Sequence, residues 1–591
     1  MMDRSISALR TLRPELDREV FWFRDDLHQP YPISPMGMTT VQKHHAWGYH
    51  VAADATQLPP SKGAYVKIYK GRVYLGFTLI DDPEEVARRA ESFSRLLEYC
   101  KDHWDEYYQK YIGEIVANIR ALKVDESDAL STSDLLEHLK KAERMNRRAW
   151  EIHFILMYPA DGLYLEFERY CKGFGIDEKE FVGMLKGFDS MPAKTDEALW
   201  TLARMAADTG LRDTFVHTPV DRLLQTLAPM PDAKSWLRQL DTFLDTYGHR
   251  VNAAHLDVLF PTWKEDPTPV LDTIKSYFRR MDDGWDFFEA RRGVVCQRRA
   301  AIEACENKLK NELKRTDADM REFRRFLNAA TEIYAYQEDH GFYIDQGCTA
   351  ALRYALMACG RRLQTLGLLK EPDDVCFLTF NELVEILGDL ALSEHVGRHH
   401  YQTLVPPLIR ERKKDWEAAR QLDAPLTVGK VPEKMTDPVA IKVFGIIDEV
   451  LHPRDEHDVV ERIEGFPGAP GSAEGPARVV VSFEEFSTVQ SGEILVCPYT
   501  GTAWTPLFLK IAGVVTDTGG MLTHAAIAAR EYGIAAVVGT WKATHSIRSG
   551  DIIRIDGDAG VVEIVKRASA ARPGAGSVGA VRSLAPGTTH E

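Results

Sequence analysis

Apolar positions along the 591-residue chain change period twice. Up to about residue 80 strand-like pieces mix with polar turns, and the stretch 63–75 alternates around Lys70-Gly71, which predicts a hairpin. Pro30, Pro32 and Pro35 keep the segment after Trp22 extended or turned. From 81 to about 450 the spacing becomes three-and-four. It predicts helices over 84–111, 133–158, 195–209, 233–247 and 272–329. Breaks are expected where Pro159, Gly162, Pro192, Pro229, Pro231, Pro267 and Pro269 fall. The block 372–383 reads as a turn, a strand and a helix start, and the mixed-charge run 308–325 as one solvated helical face.

Beyond Asp455 the texture changes again. A Gly/Pro-rich stretch ends at Pro476, and short apolar runs predict strands at 477–481, 493–497, 514–516, 536–538, 551–555 and 560–564. After 566 the chain is Ala-, Gly-, Pro- and Ser-rich without apolar periodicity, the composition of a disordered tail. The expected fold class is multidomain α+β. It comprises a β-rich part (1–80), a mainly α-helical substrate-binding domain (81–454), a linker (455–476), a compact α/β domain (477–566) and the tail (567–591).

Composition narrows the partners. A net charge of −15 argues against a nucleic-acid or acidic-membrane partner, because such binding needs basic surface. The eight cysteines show no CxxC pairs, so neither a zinc site nor a disulfide framework is signalled. No apolar run approaches membrane-spanning length and no basic-then-apolar leader opens the chain, so a cytoplasmic location is expected.

Candidate chemistry concentrates at 516–533. An apolar strand-like run leads into Gly519-Gly520, and a helix starts near Thr523 and stops at Gly533. His524 then sits at a helix N-terminus, where unpaired amides and the helix dipole favour an anion. A neutral imidazole there could carry a phosphoryl group between two half-reactions, with Thr523, Gly519 and Gly520 around it. A capping threonine followed by an inconsequential histidine would look the same by spacing alone.

Two further sets lie in the helical region. His249 beside Arg250 offers a base and a fixed cation. In 337–345, Gln337, His340 and Ile344 would share one helical face, with Glu338 and Asp345 on another, and Arg353 follows. A polar network at helix ends is the ordinary alternative for both. His395 and His399 sit four apart but have no acidic third ligand one turn on, so no metal site is expected.

The stretch from Gly513 to Gly539 resembles the phosphohistidine signature of the phosphoenolpyruvate-utilising enzymes, with Gly519, Gly520, His524, Ala526, Arg530, Glu531, Gly533 and Gly539 in place. The family includes phosphoenolpyruvate synthase, rifampicin phosphotransferase and phenylphosphate synthase. The resemblance implies a swivelling domain that carries a phosphoryl group on His524. The layout is most similar to the histidine-bearing subunit of phenylphosphate synthase. No GxxxxGK[ST] and no ATP-grasp phosphate clamp is found, so ATP and Mg2+ are expected on a separate ATP-grasp subunit.

The expected acceptor is a small phenol, with a larger antibiotic-type hydroxyl compound, or a non-catalytic docking role, as alternatives. Its expected site has His340 and His249 as candidate bases and Arg250 or Arg353 as phosphoryl clamp. Gln337, Glu338 and Tyr343 are the expected substrate contacts.

Overall fold

The computed structural model describes residues 19–568 except 123, 252–255, 423, 436, 453–460, 482 and 502–503. The expected tail from 569 and part of the expected linker therefore lie outside the described residues. As expected, the chain is α+β, with a mostly helical domain followed by an α/β domain.

The predicted hairpin forms from β2 (Ser61–Tyr69) and β3 (Arg72–Leu79). Lys70 and Gly71 both adopt positive φ, as a two-residue turn matched to strand twist requires. β1 (Phe21–Arg24) pairs with β3, and β4 (Thr427–Gly429) pairs with β1, giving an antiparallel sheet in the order β2-β3-β1-β4. The N-terminal sheet is thus completed by a strand from the far end of the helical region.

The helix Thr132–Gly173 runs through the helical domain and packs on Lys43–Thr56, Pro83–Leu122, Asp317–His340 and Thr349–Thr365. It passes straight through Pro159, where a break was expected. Proline leaves the carbonyl of Ile155 without its helical donor, and the Tyr107 hydroxyl donates to that oxygen at 3.2 Å instead. Gly162 lies in the same helix because a Cβ there would meet Leu97 and Phe93 at 3.0–3.1 Å.

The expected continuous helix over 272–329 is three helices, Thr268–Asp282, Phe287–Asn307 and Asp317–His340. Gly284 and Lys314 take positive φ at the breaks, and Thr316 with Asp319 forms a capping box on the third. The run 308–325 is therefore not one face. Its charges reach other helices, Lys308 to Glu180 at 2.6 Å and Arg325 to Asp102 at 2.6 Å. The block 372–383 has no strand: a 3-10 turn, Pro372–Phe377, leads to Thr379, which caps the helix Phe380–Leu392.

The C-terminal domain is built on an eight-stranded sheet. Its strands are β5 (Arg462–Glu464), β6 (Phe466–Ala469), β7 (Ser472–Val479), β8 (Ile494–Cys497), β9 (Gly513–Thr516), β10 (Ala535–Val538), β11 (Ile552–Asp556) and β12 (Val561–Lys566). The order is β5-β12-β11-β7-β8-β9-β10-β6, with β7 to β10 parallel. Residues 462–476, expected as linker, thus belong to the sheet. Glycine and proline are tolerated in β6 because it is an edge strand. Gly465 and Gly468 also let it approach Val538, which added Cβ atoms would meet at 2.7 and 3.0 Å.

Candidate functional site

The helix His524–Tyr532 is the crossover between parallel strands β9 and β10, and His524 is its first residue. A ligand carried there lies beyond the carboxyl end of the strands, the usual place in parallel α/β sheets. Thr516, at the end of β9, is followed by Asp517, whose carboxylate accepts from the Thr544 amide at 3.1 Å and the Thr540 hydroxyl at 3.2 Å. Arg530 closes the loop from the other side, donating to the carbonyls of Met521 at 2.6 Å and Gly468 at 2.8 Å.

Thr523 is the N-cap by backbone conformation, but its hydroxyl donates to the Gly520 carbonyl at 2.7 Å rather than capping the helix. The packing between the domains also requires glycine at 519 and 520. Gly519 takes a φ of 92°, and a Cβ on Gly520 would stand 2.1 Å from the Lys442 carbonyl. The glycine turn is where the α/β domain presses its backbone against residues 441–445. The Gly520 amide donates to Val443, and the Leu522 amide to Lys442, each at 3.2 Å.

The domains meet along one seam, which passes through the histidine. His524 Nδ1 lies 3.2 Å from Glu338 Oε2, on the helix Asp317–His340. With the carboxylate accepting from Nδ1–H, Nε2 keeps the lone pair, the atom a phosphoryl group would occupy. Arg530 donates to the Tyr334 hydroxyl at 2.9 Å, and Glu531 accepts from the Gly187 amide at 2.6 Å. The Tyr532 hydroxyl donates to Asp196.

Beside His524 is a cavity of about 460 Å³. Phe188, Trp285, Phe508 and Tyr334 line it, with Asp196, Glu338, Arg280 and Arg291 among its polar groups. Burial pushes the Asp196 carboxyl up to about 6, although the Tyr532 hydroxyl opposes the shift. Burial likewise pushes Glu531 up to about 7 against the Gly187 amide. Asp196 is therefore ionised at neutral pH while remaining basic enough to accept a hydroxyl proton. Arg291 donates to the Phe188 carbonyl at 2.7 Å at the cavity wall.

The structure brings together some of the expected residues and separates others. Glu338 reaches His524, while Gln337 and His340 turn to the opposite side, as the helical face reading required. Gln337 approaches Asp161 at 3.5 Å, and His340 faces His153 and Asp345. Asp345 does not share a face with Glu338. Gly341–Cys348 is a π-helical segment, and its wider i,i+5 spacing rotates Asp345 towards His340.

His249 Nε2 donates to the Phe342 carbonyl at 2.9 Å, and burial lowers the imidazole to about 4; it holds the π segment rather than reaching the cavity. Arg250 is buried between Trp263 and Phe342, 5.6 Å from each ring centre. Burial lowers it to about 10, partly offset by Asp196 and Glu338. It thus lends positive potential from behind the cavity wall. Arg353 is tied to Glu265 at 2.8 Å and Asp373 at 2.7 Å, away from His524. Tyr343 packs against the Phe342 ring and does not line the cavity.

Asp196 and Arg291 were not foreseen. Asp196 had a signal: it falls on the apolar stripe of its helix with Leu199, Trp200 and Ala203, where a carboxylate is costly without a partner. Arg291, in a run of charged residues near the start of its helix, had none.

Residues 489–560 match the mobile domain of PEP-utilising enzymes, and residues 161–338 match the fourth domain of rifampicin phosphotransferase. The chain is 30% identical over 562 residues to chondramide synthase cmdD of Chondromyces crocatus, covering 93% of this chain and 14% of that protein. It is 27% identical to the uncharacterized phosphotransferase YvkC of Bacillus subtilis, over 94% of this chain and 63% of that one. Rifampicin phosphotransferase of Streptomyces sviceus is 30% identical over 58% of this chain and 36% of its own length. The chain thus spans less than two thirds of each of these relatives. It is a relative of the PEP-utilising phosphotransferases, with their mobile domain behind a helical domain similar to that of rifampicin phosphotransferase.

Proposed function

We propose that this chain is the acceptor-side part of a phosphotransferase that carries a phosphoryl group on His524 and passes it to a hydroxyl of a hydrophobic, ring-containing compound. The observation behind this reading is the placement of His524. It stands at the helix N-terminus of the mobile domain, oriented by Glu338, and opens on the aromatic cavity of the helical domain. The polar groups at the cavity include His524, Arg280, Arg291, Asp196, Glu338 and Glu531, which offer cations for a phosphoryl group and a base for its acceptor. ATP and Mg2+ are assigned in this proposal to an ATP-binding module outside these residues.

In the transfer step the acceptor oxygen attacks phosphorus. The O–P bond forms as the N–P bond breaks, and its electrons return to His524 Nε2. The hydroxyl proton passes to Asp196. Arg291, with Arg250 behind it, offsets charge on the phosphoryl oxygens.

The small-phenol acceptor gives way to the antibiotic-type alternative. The named relatives include rifampicin phosphotransferases. A cavity of about 460 Å³ is of the size that takes drug-sized ligands, and phenol would leave most of it empty.

The test bypasses the missing donor. Phosphoramidate should phosphorylate wild-type chain at His524, giving an acid-labile, alkali-stable adduct seen by phosphorus NMR, and His524→Ala should not carry it. The loaded chain should then phosphorylate a polycyclic hydroxylated antibiotic in preference to phenol. An adduct that decays only to inorganic phosphate with every hydroxyl compound offered would overturn the reading.

A further inference from the structure

Away from the cavity, a second histidine cluster lies inside the helical domain. His153, from the helix Thr132–Gly173, and Asp345, from the π segment, are buried, and His340 is nearly so. His153 Nδ1 is 3.0 Å from one oxygen of Asp345, and His340 Nε2 is 3.7 Å from the other. The two imidazoles meet edge to face at 4.9 Å, and the three ligand atoms all lie within 4.8 Å of one another. We propose that His153, His340 and Asp345 bind a divalent first-row transition cation, a site the mobile-domain chemistry does not use.

Three features carry the assignment. The first is the donor set: two imidazoles and one carboxylate without sulfur suit Zn2+ and its neighbours, and leave coordination positions open. The separations of 3.0 and 3.7 Å bracket the roughly 3.4 Å expected between two ligands at bonds of about 2.1 Å in a tetrahedral shell.

The second is the tautomer. His340 Nδ1 lies 3.3 Å from the Tyr336 carbonyl, which can only accept, so Nδ1 carries the proton. Nε2 then presents a lone pair to a carboxylate oxygen, an arrangement of two acceptors that a cation between them satisfies. A backbone carbonyl on the far ring nitrogen is the usual outer-shell partner of a metal-bound histidine.

The third is the π segment itself. An α-helical continuation would turn Asp345 away from His340; the i,i+5 spacing points both at His153. A bound ion would pin the helix Thr132–Gly173 to the junction two residues beyond Glu338. It would therefore hold the wall against which His524 docks.

The experiment uses the full chain, stripped with a chelator, reloaded with Zn2+ and passed through gel filtration. Elemental analysis should find about one equivalent bound in wild type and less than about a tenth in His153→Gln with Asp345→Asn. Co2+ in place of Zn2+ should give visible d–d bands in wild type that the double variant lacks. Should that variant fail to fold by circular dichroism, His340→Gln alone is read the same way. Wild type that retains no Zn2+, or variants that retain it fully because surface histidines hold it, overturns the assignment. Neither result bears on whether His524 accepts a phosphoryl group.

Discussion

The seam at His524 and the interior around His153 use the same residue types for opposite ends. Both place an imidazole near a carboxylate at about hydrogen-bond distance, 3.2 Å for His524 and Glu338 and 3.0 Å for His153 and Asp345. At the seam the two partners come from different domains. Their neighbours include hydroxyl, amide and arginine contacts beside a cavity, and Met521 and Ile527 join an apolar cluster of the helical domain. In the interior both partners sit among long helices that also pack Trp150, Phe154 and Tyr336. The contrast teaches that a histidine at a domain seam is held by groups from both sides, whereas an interior pair is fixed by the packing of one domain.

The most severe way to break the contrast is at the glycine turn. Gly520→Ala puts a Cβ where the Lys442 carbonyl stands, so the domains cannot close. Transfer to acceptor should fall to background while phosphoramidate still loads His524, and small-angle scattering should show a larger particle. Normal transfer would show that the seam is not the working position.

Asp196→Asn keeps the shape of the cavity wall and removes its base. Transfer should slow by about 10²–10⁴-fold, with loading unchanged, in a single-turnover assay of phospho-His524. A change of less than about tenfold would move the base elsewhere.

The seam should also respond to pH. Asp196 and Glu531 have carboxyls pushed up to about 6 and about 7 by burial, from ordinary values of 3.8 and 4.5. The docked form therefore holds protons more tightly than the open form, and docking weakens as pH rises from about 4 through 7. Hydrogen exchange at 524–532 should be faster at pH 8 than at pH 5 after correction for intrinsic rates. Slower exchange would reverse the sign.

The smallest effect belongs to the interior. Tyr107→Phe leaves the Ile155 carbonyl without the donor that replaces its lost helical bond at Pro159. The helical domain should lose about 1–3 kcal/mol in a denaturant titration, with loading at His524 untouched. A loss within error would show that another donor takes over.

Much of this architecture was legible before the fold was known. The period of two around Lys70-Gly71 specified a hairpin, because only residues that accept positive φ can sit at both positions of such a turn. The long match from Gly513 to Gly539 placed His524 at a helix start, and the structure has it there. Helix ends were less legible. Pro159 reads as a break in any local account, and only Tyr107, about fifty residues away, makes it tolerable. Gly465, Pro467 and Gly468 read as linker, and only their place at a sheet edge makes them strand.

By itself, the sequence determined the period of each segment, the placement of His524 at a helix start and the order of helical domain before mobile domain. These are local properties, set by the spacing of apolar residues and by which residues tolerate a given backbone conformation. Tertiary structure alone decided which side chains meet. A single π segment turned Asp345 from the side of Glu338 to that of His340, and packing tied Arg353 to Glu265 instead of the cavity. Asp196 and Arg291 reached His524 from helices more than two hundred residues upstream. Such meetings depend on how whole helices are rotated and docked. That rotation is fixed by the sum of many packing contacts, which no local pattern of residues encodes.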